Sequence, residues 1–156
     1  LEWLERMGVS ARPWSTVPGR SPGADAATTD ELMVDAADRA MQAASVKRSE
    51  VDLLIAATTT PTRMTTSMAA IAGGALGMRC AALEARAGCA SSVYALAMAY
   101  GQMAIGADCV VVAAAETLSK VCPGTGPLPY LAGDAGAADR RFYCRFYRCA
   151  GVFRGT

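Results

Sequence analysis

Val51-Asp52-Leu53-Leu54-Ile55-Ala56-Ala57-Thr58 is an almost unbroken apolar run with a β-branched residue at each end and Ile in the middle. A strand with one wet face alternates apolar and polar residues, and this run does not. It suits a strand covered on both faces, as in parallel or mixed sheets. Asp108 to Ala115 (DCVVVAAA) repeats the pattern more clearly, and Cys80 to Ala85 is a shorter strand candidate. The stretches between them carry helical signals. Upstream, Thr28-Thr29-Asp30-Glu31 is a capping box in which Thr28 accepts from the Glu31 backbone while Glu31 reaches back. Leu32, Met33, Ala36, Ala37, Ala40, Met41 and Ala44 then recur at helical spacing, which predicts an amphipathic helix over 29–45. Residues 67–77 predict a second helix, with Gly73 and Gly74 allowing close packing. Ser91 to Ile105 is nearly free of charge and apolar all round, which predicts a central buried helix. Alternating strands and helices give an α/β layered domain with a mixed, mostly parallel sheet.

Composition bounds the rest. A chain of 156 residues has room for one domain, and 53% apolar against 19% charged residues excludes a disordered tail-like protein. The chain contains no His and no Asn. Acting alone, it therefore lacks every mechanism that needs an imidazole base, the Ser/His and Cys/His pairs included, and every His-containing metal site. Six Cys (80, 89, 109, 122, 144, 149) form no CxxC pair, so no metal site is expected. The longest strongly apolar stretch, Cys109 to Ala115, is far below the roughly 20 residues of a membrane span. Leu1 opens into Glu-Trp-Leu-Glu-Arg without the apolar segment of a secretory signal, and a start without Met reads as trimmed. The expectation is a cytoplasmic protein with reduced thiols and no membrane partner.

The net charge of +1 conceals an asymmetry. Residues 1–138 are mildly acidic and give no nucleic-acid footprint. Residues 139–156 hold Arg140, Arg141, Arg145, Arg148 and Arg154 against Asp139, together with all three Phe. Three readings of this tail stand: an exposed basic–aromatic segment, a nucleic-acid or membrane arm, and a shifted reading frame or appended scar. The abrupt change after Ala138 favours the third, with 1–138 as the folded unit and 139–156 as an atypical tail, frameshifted or disordered.

Cys89 is the residue most suited to chemistry. It lies in Ala87-Gly88-Cys89-Ala90-Ser91-Ser92, between a short strand and an apolar helix. Gly88 permits a sharp turn that presents the sulfur, as a nucleophile elbow does. The free N–H groups and dipole of a helix start stabilise a thiolate there. The plainer alternative, a small Cys filling a gap in the core, stands beside it. Gly133-Asp134-Ala135-Gly136-Ala137-Ala138 fits neither GxGxxG nor a P-loop and reads as a tight backbone crossing. Gly124-Thr125-Gly126-Pro127 reads as a loop. Trp3, Arg6 and Arg12 suit stacking and phosphate contacts, or equally an exposed helix end.

The chain resembles the N-terminal half of a beta-ketoacyl-acyl-carrier-protein synthase III, of the thiolase superfamily. Carrying the resemblance are Leu1-Glu2-Trp3, Arg6-Met7-Gly8-Val9, Val51 to Thr59, Ala87-Gly88-Cys89-Ala90, Tyr94-Ala95-Leu96, Ala115-Glu116-Thr117-Leu118 and Gly133 to Ala137, in order across about 1–138. It implies that Cys89 is acylated by an acyl-CoA starter, with its own backbone N–H as one oxyanion donor. A His and an Asn from the second half of such a protein then assist decarboxylative Claisen condensation with malonyl-acyl-carrier protein in fatty acid or polyketide biosynthesis. Trp3 and Arg6 are similar to the family's CoA-facing pair, one residue closer together here. The acyl-pocket position supplied across the dimer falls at Thr65-Thr66, where the family often has Phe then Pro. The family's adenine-stacking Arg falls near Gly126, its first strand would precede Leu1, and its apolar strand after Ala138 is replaced by Asp139-Arg140-Arg141. No cofactor is implied, acyl-CoA being a substrate. The expected partners are acyl-CoA, acyl carrier protein, and either a second copy or the missing C-terminal half. The alternative is a catalytically inactive truncated or partner-subunit protein, analogous to chain-length factors. A nucleotide-binding reading lacks its glycine fingerprint.

Overall fold

The computed structural model describes residues 27–120 and 150–154, together with Arg6. Trp3, Arg12, the Pro/Gly-rich stretch after it, Gly124 to Pro127, Gly133 to Ala138 and most of the 139–156 tail lie outside the described residues.

Helix α1, Thr29–Ala43, starts where the capping box places it: the Glu31 N–H donates to Thr28 Oγ1 and the Thr28 N–H donates to the Glu31 carboxylate at 2.8 Å. The ring of hydrogen bonds holds the Glu31 carboxyl below its ordinary range, the Thr28 backbone N–H being the largest cause and the Thr28 side chain the next. A single 3-10 turn, Arg48–Glu50, leads into β1, Leu53–Ala57. Helix α2, Met68–Ala75, strand β2, Ala81–Ala85, helix α3, Ser91–Ala104, and strand β3, Cys109–Ala114, follow in turn. A short 3-10 turn, Leu118–Lys120, comes after β3.

The sheet order is β2-β1-β3-β4, with β1 parallel to both β2 and β3. From β1 the chain passes outward to β2, then back across β1 to β3. With right-handed crossovers, these opposite steps place α2 and α3 on opposite faces. Side chains confirm the division. Leu54, Ala56, Val111 and Ala113 pack with Leu32, Met33 and Met41 of α1 and with Met68, Ala69 and Ala72 of α2. Leu53, Ile55, Ala57, Val110, Val112 and Ala114 pack with Ala95 and Ala99 of α3. All five residues of β1 are buried, as are all six of β3, which is why their sequences show no alternation.

Three expectations need correction. First, α3 is not buried all round. Only Ser91, Ala95 and Ala99 are buried, while Val93 (60%), Tyr94 (59%) and Tyr100 (62%) stand exposed. The apolar residues on that side have no layer over them among the described residues. Second, Ala150–Arg154 of the tail is ordered as strand β4, antiparallel to β3, with Val110 opposite Phe153 and Val111 opposite Val152. Phe153 reaches the α3 face and meets Tyr100 with ring centroids 5.7 Å apart. Val152 and Phe153, strand-favouring residues that pack on opposite faces of the sheet, suit a strand whatever the origin of the segment. Third, Gly73 and Gly74 are not required for close packing. A methyl at Gly73 would meet Leu54 Cδ2 at an ordinary 3.7 Å, and one at Gly74 would meet nothing within 4 Å.

Candidate active site

Because β1, β2 and β3 are parallel, their carboxyl ends share one end of the sheet. The connections after β1 and β2 leave toward opposite faces, and a crevice opens where adjacent strands do this. Cys89 lies at this crevice. After β2, the chain turns at Gly88, whose φ of 58° is the left-handed conformation a glycine adopts without strain. The Ala90 N–H donates to the Ala87 carbonyl at 3.2 Å and the Ser91 N–H to the Gly88 carbonyl at 3.1 Å. Ser91 adds a side-chain brace. Its hydroxyl donates to the Gly88 carbonyl at 2.7 Å and accepts from the Ala87 N–H at 2.8 Å. The turn is thus tied by four hydrogen bonds around the cysteine, and α3 begins two residues later. Cys89 is exposed, in contrast to half-buried Cys80 and buried Cys109. Burial pushes the Cys80 thiol up from its ordinary range.

Ala57, Gly88, Cys89, Ser91, Ser92, Ala114 and Glu116 line a recess of about 20 Å³, room for about one water molecule. The described residues therefore present the sulfur without enclosing an acyl-sized cavity. A groove of about 700 Å³ lies at the opposite end of the sheet, between Met41, Val46, Val51 and Arg79, and contains none of the candidate residues. The candidate residue Cys89 lines the smaller recess, at the carboxyl ends of the strands.

Sequence reading missed the polar network under the recess. Glu116, only 8% exposed, accepts from the Thr59 N–H at 2.6 Å, the Thr59 hydroxyl at 2.8 Å and the Thr60 hydroxyl at 2.7 Å. The Thr117 N–H donates to Thr60 Oγ1 at 2.8 Å. Thr29 donates to the Thr60 carbonyl at 2.6 Å, and its oxygen lies 2.7 Å from Thr117 Oγ1. A carbonyl only accepts, so the single Thr29 hydroxyl proton is committed to it, and Thr117 must donate to Thr29. Every buried polar group of this network has a partner, as burial demands. The run Thr58-Thr59-Thr60 was the available signal.

The remaining predicted residues are dispersed. Arg6 is helical and exposed, and Trp3 lies outside the described residues. Thr65 is exposed in the 61–67 segment between β1 and α2. Among the described residues, no three potential ligands gather to hold a metal ion, and no helix is long and apolar enough to cross a membrane.

The family profile of 3-oxoacyl-[acyl-carrier-protein] synthase III matches residues 83–139, the stretch that contains the Cys89 turn. Beta-ketoacyl-[acyl-carrier-protein] synthase III of Thioalkalivibrio sulfidiphilus is 39% identical over 127 residues, 80% of this chain and 37% of that protein. The chain is a relative of the ketoacyl synthase III family. It spans about a third of the length of the relatives it matches. Solved ketoacyl synthase III-type structures share its fold. The priming beta-ketosynthase of the R1128 polyketide pathway superposes with a TM-score of 0.67 at 28% identity, covering 74% of this chain and 35% of the other. The 3-oxoacyl-[acyl-carrier-protein] synthase III of Aquifex aeolicus gives 0.63 at 29% identity, covering 69% and 35%. The α/β fold with a mostly parallel sheet and the ketoacyl synthase III relationship agree with the sequence reading.

Proposed function

We propose that this chain carries the nucleophile-bearing part of a ketoacyl synthase III-type condensing enzyme of fatty acid or polyketide synthesis, with Cys89 as the acyl acceptor. The observation that supports this most is the exposed Cys89 on a braced glycine turn, immediately before the start of α3. The Cys89 thiolate attacks the thioester carbonyl of an acyl-CoA. A new carbon–sulfur bond forms, the bond to CoA sulfur breaks, and CoA leaves as a thiolate that takes up a proton. The Cys89 N–H is one donor to the developing oxyanion. Trp3 and Arg6 would contact the CoA, and Thr65 would wall the acyl group. The acyl enzyme then condenses with malonyl-acyl-carrier protein, losing carbon dioxide.

That second step requires groups this chain does not contain, since it has neither His nor Asn. They come from a further segment or a second polypeptide, and the isolated chain makes no ketoacyl product. The absent imidazole also favours the second reading, an inactive partner subunit in the manner of a chain-length factor. Intact-mass measurement after incubation with acetyl-CoA separates the two. An acetyl adduct that disappears in Cys89→Ala supports the enzyme reading. No adduct on a folded chain whose Cys89 still reacts with iodoacetamide overturns it.

A further inference from the structure

The segment between β1 and α2 has neither helix nor strand over residues 61–67, so side chains must hold its backbone. Two of them come from the β2 end that delivers Cys89. Glu84 is nearly buried, with 9% of its side chain exposed, and Arg86 is partly covered at 34%. One Glu84 oxygen accepts from Arg86 Nε. The other accepts from the Met68 N–H at 2.6 Å. Ser67 occupies the N-cap position of α2 but makes no side-chain cap bond, so Glu84 does that work from another strand. A carboxylate at a helix start is also favoured by the helix dipole. Arg86 then spends its remaining nitrogens on two backbone carbonyls, Nη1 on Met64 at 3.3 Å and Nη2 on Arg63 at 3.4 Å. These last contacts are long, but the planar fork makes both at once. Thr65 sits between the Met64 carbonyl held by Arg86 and the Met68 amide held by Glu84.

We propose that Glu84 and Arg86 are positioning residues: together they clamp the 63–68 backbone, with Thr65 in it, to the end of β2, and so set which acyl groups are accepted by the cysteine that Thr65 walls across a dimer of this chain. The selectivity half of this proposal rests on the acyl-acceptor reading given above. The clamp itself does not.

The test uses the full chain and three variants: Glu84→Gln, Arg86→Lys and Arg86→Ala. Trypsin cutting after Arg63 and hydrogen exchange at the Met68 amide read the clamp. Rates of Cys89 acylation by acetyl-CoA and hexanoyl-CoA read selectivity, with iodoacetamide labelling of Cys89 as control. Arg86→Ala is expected to speed cutting after Arg63 by about tenfold. It should also shift the hexanoyl-to-acetyl ratio by at least about threefold, as displacement of a positioned group does. Iodoacetamide labelling stays within about twofold, since a small reagent needs no acyl wall. Arg86→Lys keeps the charge beside Glu84 but not the fork, and falls between wild type and Arg86→Ala. Glu84→Gln retains an acceptor for Met68 without the charge, and exchange there quickens. Unchanged cutting and exchange in all three variants overturns the clamp. Parallel losses in iodoacetamide labelling and both acylations overturn the selectivity role, because they report general loosening. If the wild-type chain takes neither acyl group, the acyl-acceptor reading and the selectivity role both fail. The cutting and exchange rates then decide the clamp alone.

Discussion

The two faces of the sheet are built differently. The face under α1 and α2 buries Leu32, Met33, Met41, Leu54 and Met68, long side chains from two helices and one strand. Under α3 the fully buried apolar contacts of the helix are only Ala95 and Ala99, packed with Ile55, Val110 and Val112, with Met98 and Met103 partly buried against them. Alanine lets the helix approach closely but buries little area per residue. Much of the bulk of α3, in Val93, Tyr94 and Leu96, is turned the other way and exposed. One face is a finished core. The other is a bonded contact with a second apolar surface above it. The exposed Cys89 belongs to this second face, at the head of α3. The larger core and the candidate site are therefore housed on opposite sides of the same strands.

Substitutions can break or sharpen this contrast. The largest effect is expected on the finished face: Met33→Ala or Leu54→Ala removes a fully buried side chain and costs about 2–5 kcal/mol, read by urea unfolding. A cost below about 1 kcal/mol would mean that this face is not the core. Phe153→Ala should cost less, about 1–2 kcal/mol, because Phe153 is partly exposed and its chief aromatic partner is Tyr100. No change would mean that β4 is dispensable. Gly74→Ala, on the outside of α2, should stabilise by up to about 1 kcal/mol, since the added methyl touches nothing and the unfolded chain loses freedom. Tyr94→Lys on the open side of α3 should move stability by less than about 0.5 kcal/mol. Its signature is instead in sedimentation, where an exposed apolar face drives self-association that a charge suppresses. A wild-type chain that sediments as a monodisperse monomer would contradict that. The smallest effect concerns pH. The folded Glu31 carboxyl titrates below its unfolded counterpart, so its contribution is complete above the ordinary carboxylate range and fades as pH falls through the lowered folded value. Glu31→Gln should flatten only that acid limb of the stability profile, and only slightly for so exposed a group.

Much of this was legible in the sequence. Every regular element from α1 to β3 lies where periodicity and apolar runs place it, with ends displaced by one or two residues. The capping box fixed the start of α1, and Gly88 beside Cys89 announced the turn. What periodicity could not show was which apolar residues are covered. Val93 and Tyr94 read as core by composition, but no described layer packs on them. Nor could spacing show pairings across long separations. Glu84 meets Met68 across 16 residues, Glu116 meets Thr59 across 57 and Thr29 meets Thr117 across 88. β4 was hidden differently, because an aromatic, basic composition outweighed the two strand-favouring residues Val152 and Phe153.

The direction of the protons around Thr29 has a mechanical meaning. That hydroxyl gives to the loop after β1 and receives from the loop after β3, so one side chain at the first turn of α1 stitches both loops to a helix that contains none of the candidate site residues. Valine there would strand a buried carbonyl and a buried hydroxyl together, whereas valine at 117 would leave Thr29 still bonded to Thr60. The two exchanges are alike on paper and unequal in the fold. The floor beneath the cysteine is held from below, by the first turn of a distant helix.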